Sequence, residues 1–188
     1  MWWREISILR HALRLGAVII IAGTTAACFQ PLYSDRSLTT GEPSLRTALR
    51  SVDIQQIAAP NGSPLSRIAN AVRNDLVFET TGGDAPPPPT HRLKITLGSS
   101  TLSVIVDIGT NRPDVTNYAL NATYQLIEIK TGKVVVNDQT FSRVSYDLPG
   151  EQQRFAAQRA LRDAENRAAQ QIADNIRSRL ASYFVAGT

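Results

Sequence analysis

The sequence is poor in the residues that form disulfides and hold metals. Its 188 residues include one cysteine, Cys28, and two histidines, His11 and His91. A single cysteine excludes an internal disulfide, a thiolate metal cage and a Cys-x-x-Cys redox pair. His11 lies in a separate N-terminal segment, so His91 is the only histidine of the main domain and cannot form the usual histidine metal site. We therefore expect no bound metal and no cofactor.

Neither sign of charge dominates the chain. Charged residues make up 19% of the sequence and hydrophobic residues 43%, values that exclude wholesale disorder and a multi-span membrane protein. The first 27 residues contain Arg4, Arg10 and Arg14 against Glu5, so without them the formal net charge falls from +4 to +2. Nucleic-acid binding needs a clustered basic face, which this balance does not indicate. The length predicts one ordinary domain.

Motifs of common enzymes are absent. The sequence has no Gly-x-x-x-x-Gly-Lys, Gly-x-Gly-x-x-Gly or Gly-x-Ser-x-Gly. His91 stands at a predicted strand start beside a proline run, where we expect an exposed, loosely held imidazole and not a member of a catalytic triad. Asp107, Asp114 and Asp147 lie at strand ends or turns, where solvated carboxylates are more common than tuned acid pairs. We predict no catalytic residue and no enzymatic activity.

The first 27 residues have the pattern of a secretory signal. Positive charges lie within residues 1–14, and residues 15–27 are uncharged and end in small side chains. A spanning helix needs about 20 apolar residues, which is more than this stretch offers. The segment Thr25-Ala26-Ala27-Cys28 resembles a bacterial lipobox, in which the cysteine is lipidated and becomes the first residue. The alternative is an ordinary signal peptide beside an incidental cysteine.

Lipidation of Cys28 would fix the protein to a membrane. Each buried CH₂ contributes about 0.8 kcal/mol, so the acyl chains of a mature bacterial lipoprotein hold it there effectively permanently. Phe29 stands where an aspartate, in the best-studied sorting systems, retains a lipoprotein in the inner membrane. We therefore expect a lipid-anchored protein on the periplasmic face of the outer membrane. Residues 28–48, with two prolines and little periodicity, are predicted to form the lipidated N-terminus and a tether.

Residues 49–188 are predicted to form a single α/β sandwich domain. A short strand is expected within residues 49–58. Ser63-Pro64 is a preferred helix start, and Gly82-Gly83 ends the helix. The apolar stripe of this helix contains Leu65, Ile68, Ala69, Val72 and Leu76. The proline run at residues 86–89 indicates a stiff connection, with a proline-motif ligand as the alternative.

Three strand patterns and a long helix follow. The first strand pattern alternates from Leu93 to Leu97, breaks at Gly98 and resumes at Leu102. The second places Tyr118, Leu120, Ala122, Tyr124 and Leu126 on one face. A tight hairpin signal at residues 130–133 leads to the third, and residues 151–184 have a helical apolar stripe. The order β-α-β-β-β-α predicts an α+β, two-layer sandwich, with two helices on one face of a largely antiparallel four-stranded sheet.

Six basic residues are candidates for binding an anionic ligand. They are Arg92, Lys94, Arg112, Lys130, Lys133 and Arg143. Some lie on the strand face that projects away from the apolar side, and the others belong to neighbouring turns or to the last strand. If the open face of the sheet presents several of them beside Asn121, Thr123 and Gln125, it can bind phosphorylated groups. The alternative is an ordinary solvated sheet face.

The ordered combination of these features resembles a known family. The segment Cys28-Phe29-Gln30-Pro31-Leu32-Tyr33 is similar to the opening of LptE, a family of lipopolysaccharide-assembly lipoproteins, in which Phe-x-Pro-Leu-Tyr closely follows a lipidated cysteine. The Leu-rich first helix, the Thr131-Gly132 hairpin, residues 143–146 and the closing helix through residues 179–184 follow in the order expected for that family. The resemblance extends over nearly all of the chain after Cys28.

The resemblance implies a non-catalytic role in lipopolysaccharide transport and assembly at the outer membrane. Proteins of this kind sit in the lumen of a large β-barrel, the translocon LptD, as plug and assembly partner, and lipopolysaccharide is an implied ligand. The resemblance assigns no residues to that ligand, so the six basic residues are candidates for it from the sheet pattern alone. The runner-up is an auxiliary lipoprotein of an ABC-type lipid transport system, which the identity of the partner distinguishes. A periplasmic hydrolase is the alternative from another class, and the single histidine of the main domain argues against it.

Overall fold

A computed structural model describes residues 43–107, 112–147 and 154–187. The predicted signal segment, Cys28 and most of the predicted tether lie outside the described residues. Within them the chain forms three helices and four strands in the order α-β-α-β-β-β-α. These elements are α1 (Leu45–Arg50), β1 (Val52–Ile54), α2 (Pro64–Thr81), β2 (His91–Asp107), β3 (Arg112–Glu128), β4 (Val134–Asp147) and α3 (Arg154–Ala186).

The four strands form one mixed sheet in the order β1-β2-β3-β4. β1 pairs in parallel with β2, and the other two pairings are antiparallel. Leu93 lies opposite Leu126, which lies opposite Val136, and all three side chains are buried. Helices α2 and α3 pack against the sheet and against each other, which confirms the predicted α+β arrangement.

β2 differs from the prediction because it is continuous through Gly98. Gly98 pairs with Asn121 in regular register, so the strand does not break there. The alternation changes because the helices stop covering β2 beyond this point. Ser99 and Thr101 lie on the same side as the buried Ile95 and are nevertheless exposed, and Leu102 on the other side is 71% exposed.

Helix α2 begins and ends at the predicted residues. The Ser63 hydroxyl oxygen accepts a hydrogen bond from the Ser66 N–H (3.2 Å), and Pro64 occupies the first helical position, where no N–H is needed. Gly82 adopts the left-handed conformation with φ of 66° and donates its N–H to the Phe78 carbonyl (2.8 Å). The local sequence therefore determines both ends of this helix.

Helix α3 has 33 residues and packs on β3, β4 and α2. Ala164, Ala168 and Ala173 on its buried side are completely inaccessible, so small side chains allow the close approach that the sequence indicated. Arg67 contacts Glu165, and Glu79 contacts Arg177, twelve residues further along both helices. Helices α2 and α3 therefore run in the same direction.

The six-residue helix α1 is the element that the sequence pattern did not predict. Its first four residues fall in the segment expected to act as a tether, but Leu45, Ala48 and Leu49 are buried in the core. The Ser44 side chain caps it by accepting the Thr47 N–H (3.3 Å). A helix this short shows no periodicity, and its packing against α2 and α3 stabilises it.

Candidate functional site

The sheet has one face covered by helices and one open face. In β3 the even-numbered residues from Tyr118 to Leu126 are buried, whereas Asn121, Thr123 and Gln125 are exposed. The register extends this face to the neighbouring strands, because Gln125 lies opposite Lys94 on one side and opposite Asn137 on the other. The Gln125 amide donates to the Asn137 side-chain oxygen (3.3 Å). The open face is therefore hydrophilic at this end.

The structure does not bring all six basic candidates together. Arg92, Lys94, Lys130 and Lys133 lie at the end of the sheet that holds the β3–β4 hairpin. Arg143 lies opposite Ala119, six residues along β3 from the partner of Lys94, which corresponds to about 20 Å. Arg112 begins β3 at the far end, and its side chain lies outside the described part.

The four cations at the hairpin end differ in their partners. Arg92 pairs with Asp53 of β1 (3.4 Å). Glu128 accepts a hydrogen bond from the Thr131 hydroxyl (2.5 Å). Among the described residues, Lys94, Lys130 and Lys133 have no ion-pair partner, and all three are exposed. The hairpin end therefore offers three uncommitted ammonium groups, which we call the lysine group.

A cleft of about 740 Å³ opens at the same end of the domain. It lies where the C-terminal end of α3, helix α1, the proline run and the start of β2 meet. Its lining combines Pro43, Pro87, Tyr183 and Phe184 with polar groups from the neighbouring elements. Ligand pockets in proteins have volumes of this order. Pro43, which directly precedes the buried Ser44 at the cap of α1, lines one side of this cleft.

His91 lines this cleft and is held more firmly than the sequence predicted. Its ring contacts those of Phe184 (5.2 Å between centroids) and Tyr183 (6.2 Å) edge-on, and Nδ1 lies 2.9 Å from the Thr90 hydroxyl. The expectation of an exposed, loosely held imidazole is therefore wrong. Burial lowers the pKa of His91, although the Glu128 carboxylate acts in the opposite direction. The imidazole is therefore packed between two aromatic rings and the Thr90 hydroxyl.

Two ionic contacts between α2 and α3 were not foreseen from the sequence. Arg67 forms an ion pair with Glu165, whose side chain is only 7% exposed, and also donates to the Asn166 side-chain oxygen (2.9 Å). The missed signal is Glu165 itself, because it stands next to Ala164 within the buried stripe of α3.

The second contact is a group of carboxylates with one arginine. Burial, and next the carboxylate of Asp174, raise the pKa values of Asp75 and Glu79. The guanidinium of Arg177, 3.4 Å from Glu79, partly offsets the rise for Glu79. This group lies between packed helices, away from the cleft and the open face. In the part of the chain that the structure describes, no group of three or more His, Cys, Asp or Glu side chains can hold a metal ion.

The described geometry does not support a catalytic acid pair formed from Asp107, Asp114 and Asp147. Asp107 ends β2 and Asp147 ends β4, where Asp147 is exposed, and the side chains of Asp107 and Asp114 lie outside the described part. None of the described helices is long and apolar enough to cross a membrane.

The described residues present two surfaces for binding, which are the open face with the lysine group and the cleft beside it.

Solved structures of lipoproteins share this fold. A putative lipoprotein from Caulobacter crescentus CB15 superimposes with a TM-score of 0.58 at 19% identity, covering 76% of this chain and 96% of that one. The rare lipoprotein B from Shewanella oneidensis gives a TM-score of 0.51 at 14% identity, covering 71% and 96%. At these identities the likeness shows the fold alone. No curated protein sequence matches the chain significantly.

A family model identifies the chain more directly. The model named LptE, with the description lipopolysaccharide-assembly, matches residues 49–180. The match begins within α1 and ends within α3, so it includes all of α2, most of α3 and the whole sheet. Because it spans more than two thirds of the chain, the protein belongs to LptE, a non-enzymatic family of lipopolysaccharide-assembly lipoproteins of the cell envelope.

Proposed function

We propose that this protein is an outer-membrane lipoprotein that partners and plugs an LptD-type β-barrel during lipopolysaccharide transport and assembly. The family match over residues 49–180 carries the proposal. The distribution of polarity supports it, because the interior of a large outer-membrane barrel is polar. The open sheet face with Thr123, Gln125 and Asn137 is suited to such a lining.

The helical side of the domain is equally suited to a polar lumen. The outer face of α3 carries charged side chains, with Asp163 and Arg167 exposed and paired at 2.8 Å. A two-layer domain with one sheet face and one helical face exposed therefore presents polar groups on both sides. This arrangement supports enclosure by a wide polar barrel. The open face also exposes the apolar side chains of Leu102 and Phe141, which a surrounding partner can cover.

We further propose that Cys28 is lipidated and that the chain after it connects the lipid to the domain. The described domain begins fifteen residues later at Pro43. A chain of that length reaches at most roughly 50 Å when fully extended, enough to place the domain beside an anchored cysteine. A mass spectrum of the N-terminal peptide from native membranes tests this directly. A mature chain that begins elsewhere, or that carries no acyl mass, would contradict the anchor.

Affinity purification of the tagged protein from native envelopes tests the partnership. We expect a large β-barrel to be recovered in a ratio of one to one, since a plug is one copy per barrel. A matched preparation with Cys28→Ala, which removes the proposed lipid site, controls for recovery through shared membrane fragments. Repeated recovery without a barrel would overturn the proposal, and recovery of an ABC transporter would favour the alternative function.

Lipopolysaccharide binding at the hairpin end is the second part of the proposal. The lysine group has no partner among the described residues, and phosphorylated sugars offer the dianionic groups that ammonium groups bind. Arg92 contributes less because Asp53 already neutralises it. Arg112 and Arg143 lie towards the other end of the sheet, so we propose the lysine group as the binding site.

A further inference from the structure

The outer edge of β2 has no partner over most of its length. β1 has three residues and pairs only with His91, Arg92 and Leu93. Beyond Leu93, no described backbone group pairs with this side of β2, although the strand continues to Asp107. We call residues Ile95–Ser103 the free edge. At 3.4 Å per residue it is about 30 Å long.

The orientation of the backbone in the free edge follows from its first hydrogen bonds. The Leu93 carbonyl accepts the Gln55 N–H (3.0 Å), and the His91 N–H donates to the Ser51 carbonyl (3.4 Å). Odd-numbered residues of β2 therefore direct both backbone groups outward. The register with β3 is regular from His91 to Ser103, so the alternation holds throughout the free edge. The outward residues are Ile95, Leu97, Ser99, Thr101 and Ser103.

The free edge lacks the features by which proteins protect unpaired strands. Natural edges are protected by charged side chains, prolines and bulges. The sequence from Ile95 to Ser103 contains no charge and no proline, and no bulge interrupts it. From Gly98 to Ser103 every residue is exposed, so neither face of the strand is covered.

The opposite edge of the sheet, formed by β4, differs from the free edge because it carries charged side chains. β4 carries Asp138, Arg143 and Asp147 along its length. The Asp138 carboxylate also accepts the outward N–H of Gln139 (2.8 Å), so the side chain satisfies a backbone group that a foreign strand would need. The β4 edge therefore carries charged side chains and one satisfied outward N–H, whereas the free edge of β2 has neither.

We propose that the free edge pairs with an extended, uncharged segment of the barrel partner, which adds a fifth strand beside β2. The inference rests on the proposed function. All strands in the wall of a closed barrel are already paired, so the added strand must come from a loop or terminal arm that enters the lumen. The added segment should be uncharged, because a charged side chain next to the uncharged edge would lose its hydration without gaining a counter-ion.

A second copy of this chain fits the free edge less well. A contact one strand wide and about 30 Å long is smaller than the interface of a stable dimer, about 800 Å² per partner. Leu102 and Phe141 are 71% and 66% exposed on the open face. Leu102 lies within the free edge, and Phe141 lies opposite Asn121, the partner of Gly98. A partner that surrounds the domain can cover these side chains together with the edge. We therefore assign the strand that pairs with the free edge to the barrel.

Photocrosslinking in the full-length protein tests the pairing. A photoreactive amino acid is placed singly at Ser99, Thr101 and Ser103, and the crosslinked sites on the co-purified barrel are mapped by mass spectrometry. Strand pairing predicts that all three positions crosslink to one segment and that the site moves by two residues at each step. Crosslinks to scattered wall positions, to a second copy of this chain or to no protein would overturn the inference.

Proline substitution tests the role of the outward N–H groups. Ser99→Pro removes one outward donor while leaving the pairs with β3 intact, since edge positions tolerate proline. Ser145→Pro is the matched control, because it removes an outward donor from β4. We expect Ser99→Pro to lower the recovered barrel about three- to tenfold, the effect of one lost hydrogen bond, and Ser145→Pro to leave it unchanged.

The two experiments separate the inference from the proposed function. Recovery of a barrel by the unsubstituted protein without the stepwise crosslinks contradicts strand addition and leaves the partnership intact. Failure of the unsubstituted protein to recover any barrel contradicts the partnership itself. Equal loss with Ser99→Pro and Ser145→Pro also contradicts the specific role of β2. Circular dichroism of each proline variant verifies that the sheet is folded, and the crosslinks from chains without proline do not depend on that result.

Discussion

Glu165 is the charged residue that the described core buries most deeply, and Arg67 is its ion-pair partner. Removing Arg67 leaves a desolvated carboxylate without a counter-ion. Because the Arg67 side chain is 42% exposed, water can partly replace it. We expect Arg67→Ala to lower the free energy of unfolding by about 1–3 kcal/mol, measured by urea denaturation of the purified protein.

Two variants control for this interpretation. Arg167→Ala breaks the pair with Asp163, which is exposed on both sides, and should change stability by less than about 0.5 kcal/mol. The double variant Arg67→Met/Glu165→Met replaces the ion pair by apolar side chains and should recover most of the loss. A loss as large in Arg167→Ala as in Arg67→Ala would show that burial of the partner does not matter.

The packing of His91 predicts a dependence of stability on pH. Burial lowers its pKa in the folded state below the ordinary value of 6.5, so the unfolded chain binds a proton first as the pH falls. This contribution is fully present above about pH 6.5 and is lost as the pH decreases towards the lowered pKa. We expect His91→Gln to lack it. The measurement is the difference in unfolding free energy between the two proteins from pH 7.5 to 5.

The comparison with His91→Gln is needed because other groups, such as Asp75 and Glu79, also make stability depend on pH. The raised pKa values of Asp75 and Glu79 act in the opposite direction, since the folded state then binds protons more readily and gains stability as the pH falls. These carboxylates are unchanged in the variant, so their effect cancels in the difference. A difference that is constant across the pH range would contradict a lowered pKa of His91 in the folded state.

At the scale of elements, the long helix α3 depends on small side chains. Ala168 is completely inaccessible where α3 packs on the sheet and on α2. A larger side chain there forces the layers apart, so we expect Ala168→Leu to lower the unfolding free energy by about 1–3 kcal/mol. Ala156 lies on an exposed part of the same helix, and Ala156→Leu is the matched control with little expected change. Thermal unfolding of both variants measures the contrast, and equal effects would contradict it.

The elements that the sequence predicted well are those with local signals. Ser63, Pro64 and Gly82 determine the ends of α2, and Gly132 with a positive φ of 70° permits the hairpin that was predicted. Buried and more accessible side chains alternate regularly from Tyr118 to Leu126 of β3, because the helices cover one face of the strand over these residues. The sequence pattern did not predict helix α1, because its six residues show no periodicity and only tertiary packing stabilises them.

The candidate site was less predictable because it depends on which strands extend beyond the helices. The change of alternation after Gly98 looked like a break, yet the strand continues into solvent. The separation of Arg143 from Lys94 follows from the register between strands, which no local pattern specifies. The ion pair of Arg67 joins residues 98 positions apart in sequence, so spacing alone did not indicate it.

At the scale of the whole molecule, three features share one end of the domain. Pro43 lines the cleft with His91 and Glu128, Lys130 and Lys133 lie in the adjoining hairpin, and Lys94 lies on the open face opposite Gln125. The cleft therefore lies at the same end of the domain as the uncommitted cations. The free edge of β2 extends from Ile95 towards the opposite end of the sheet. The molecule thus separates the proposed anion-binding end from the edge proposed for protein contact.

This separation leads to a prediction for lipopolysaccharide binding. Reversing charge in the triple variant Lys94→Glu/Lys130→Glu/Lys133→Glu replaces attraction by repulsion at the hairpin end, so we expect at least about tenfold weaker binding to purified lipopolysaccharide, measured by surface plasmon resonance. Arg143→Glu, about 20 Å away along the sheet, is the control and should change binding less than about twofold. The difference should shrink at high salt. Unchanged binding by the triple variant would exclude the lysine group as the site, and an equal loss with Arg143→Glu would indicate a diffuse attraction by the whole sheet.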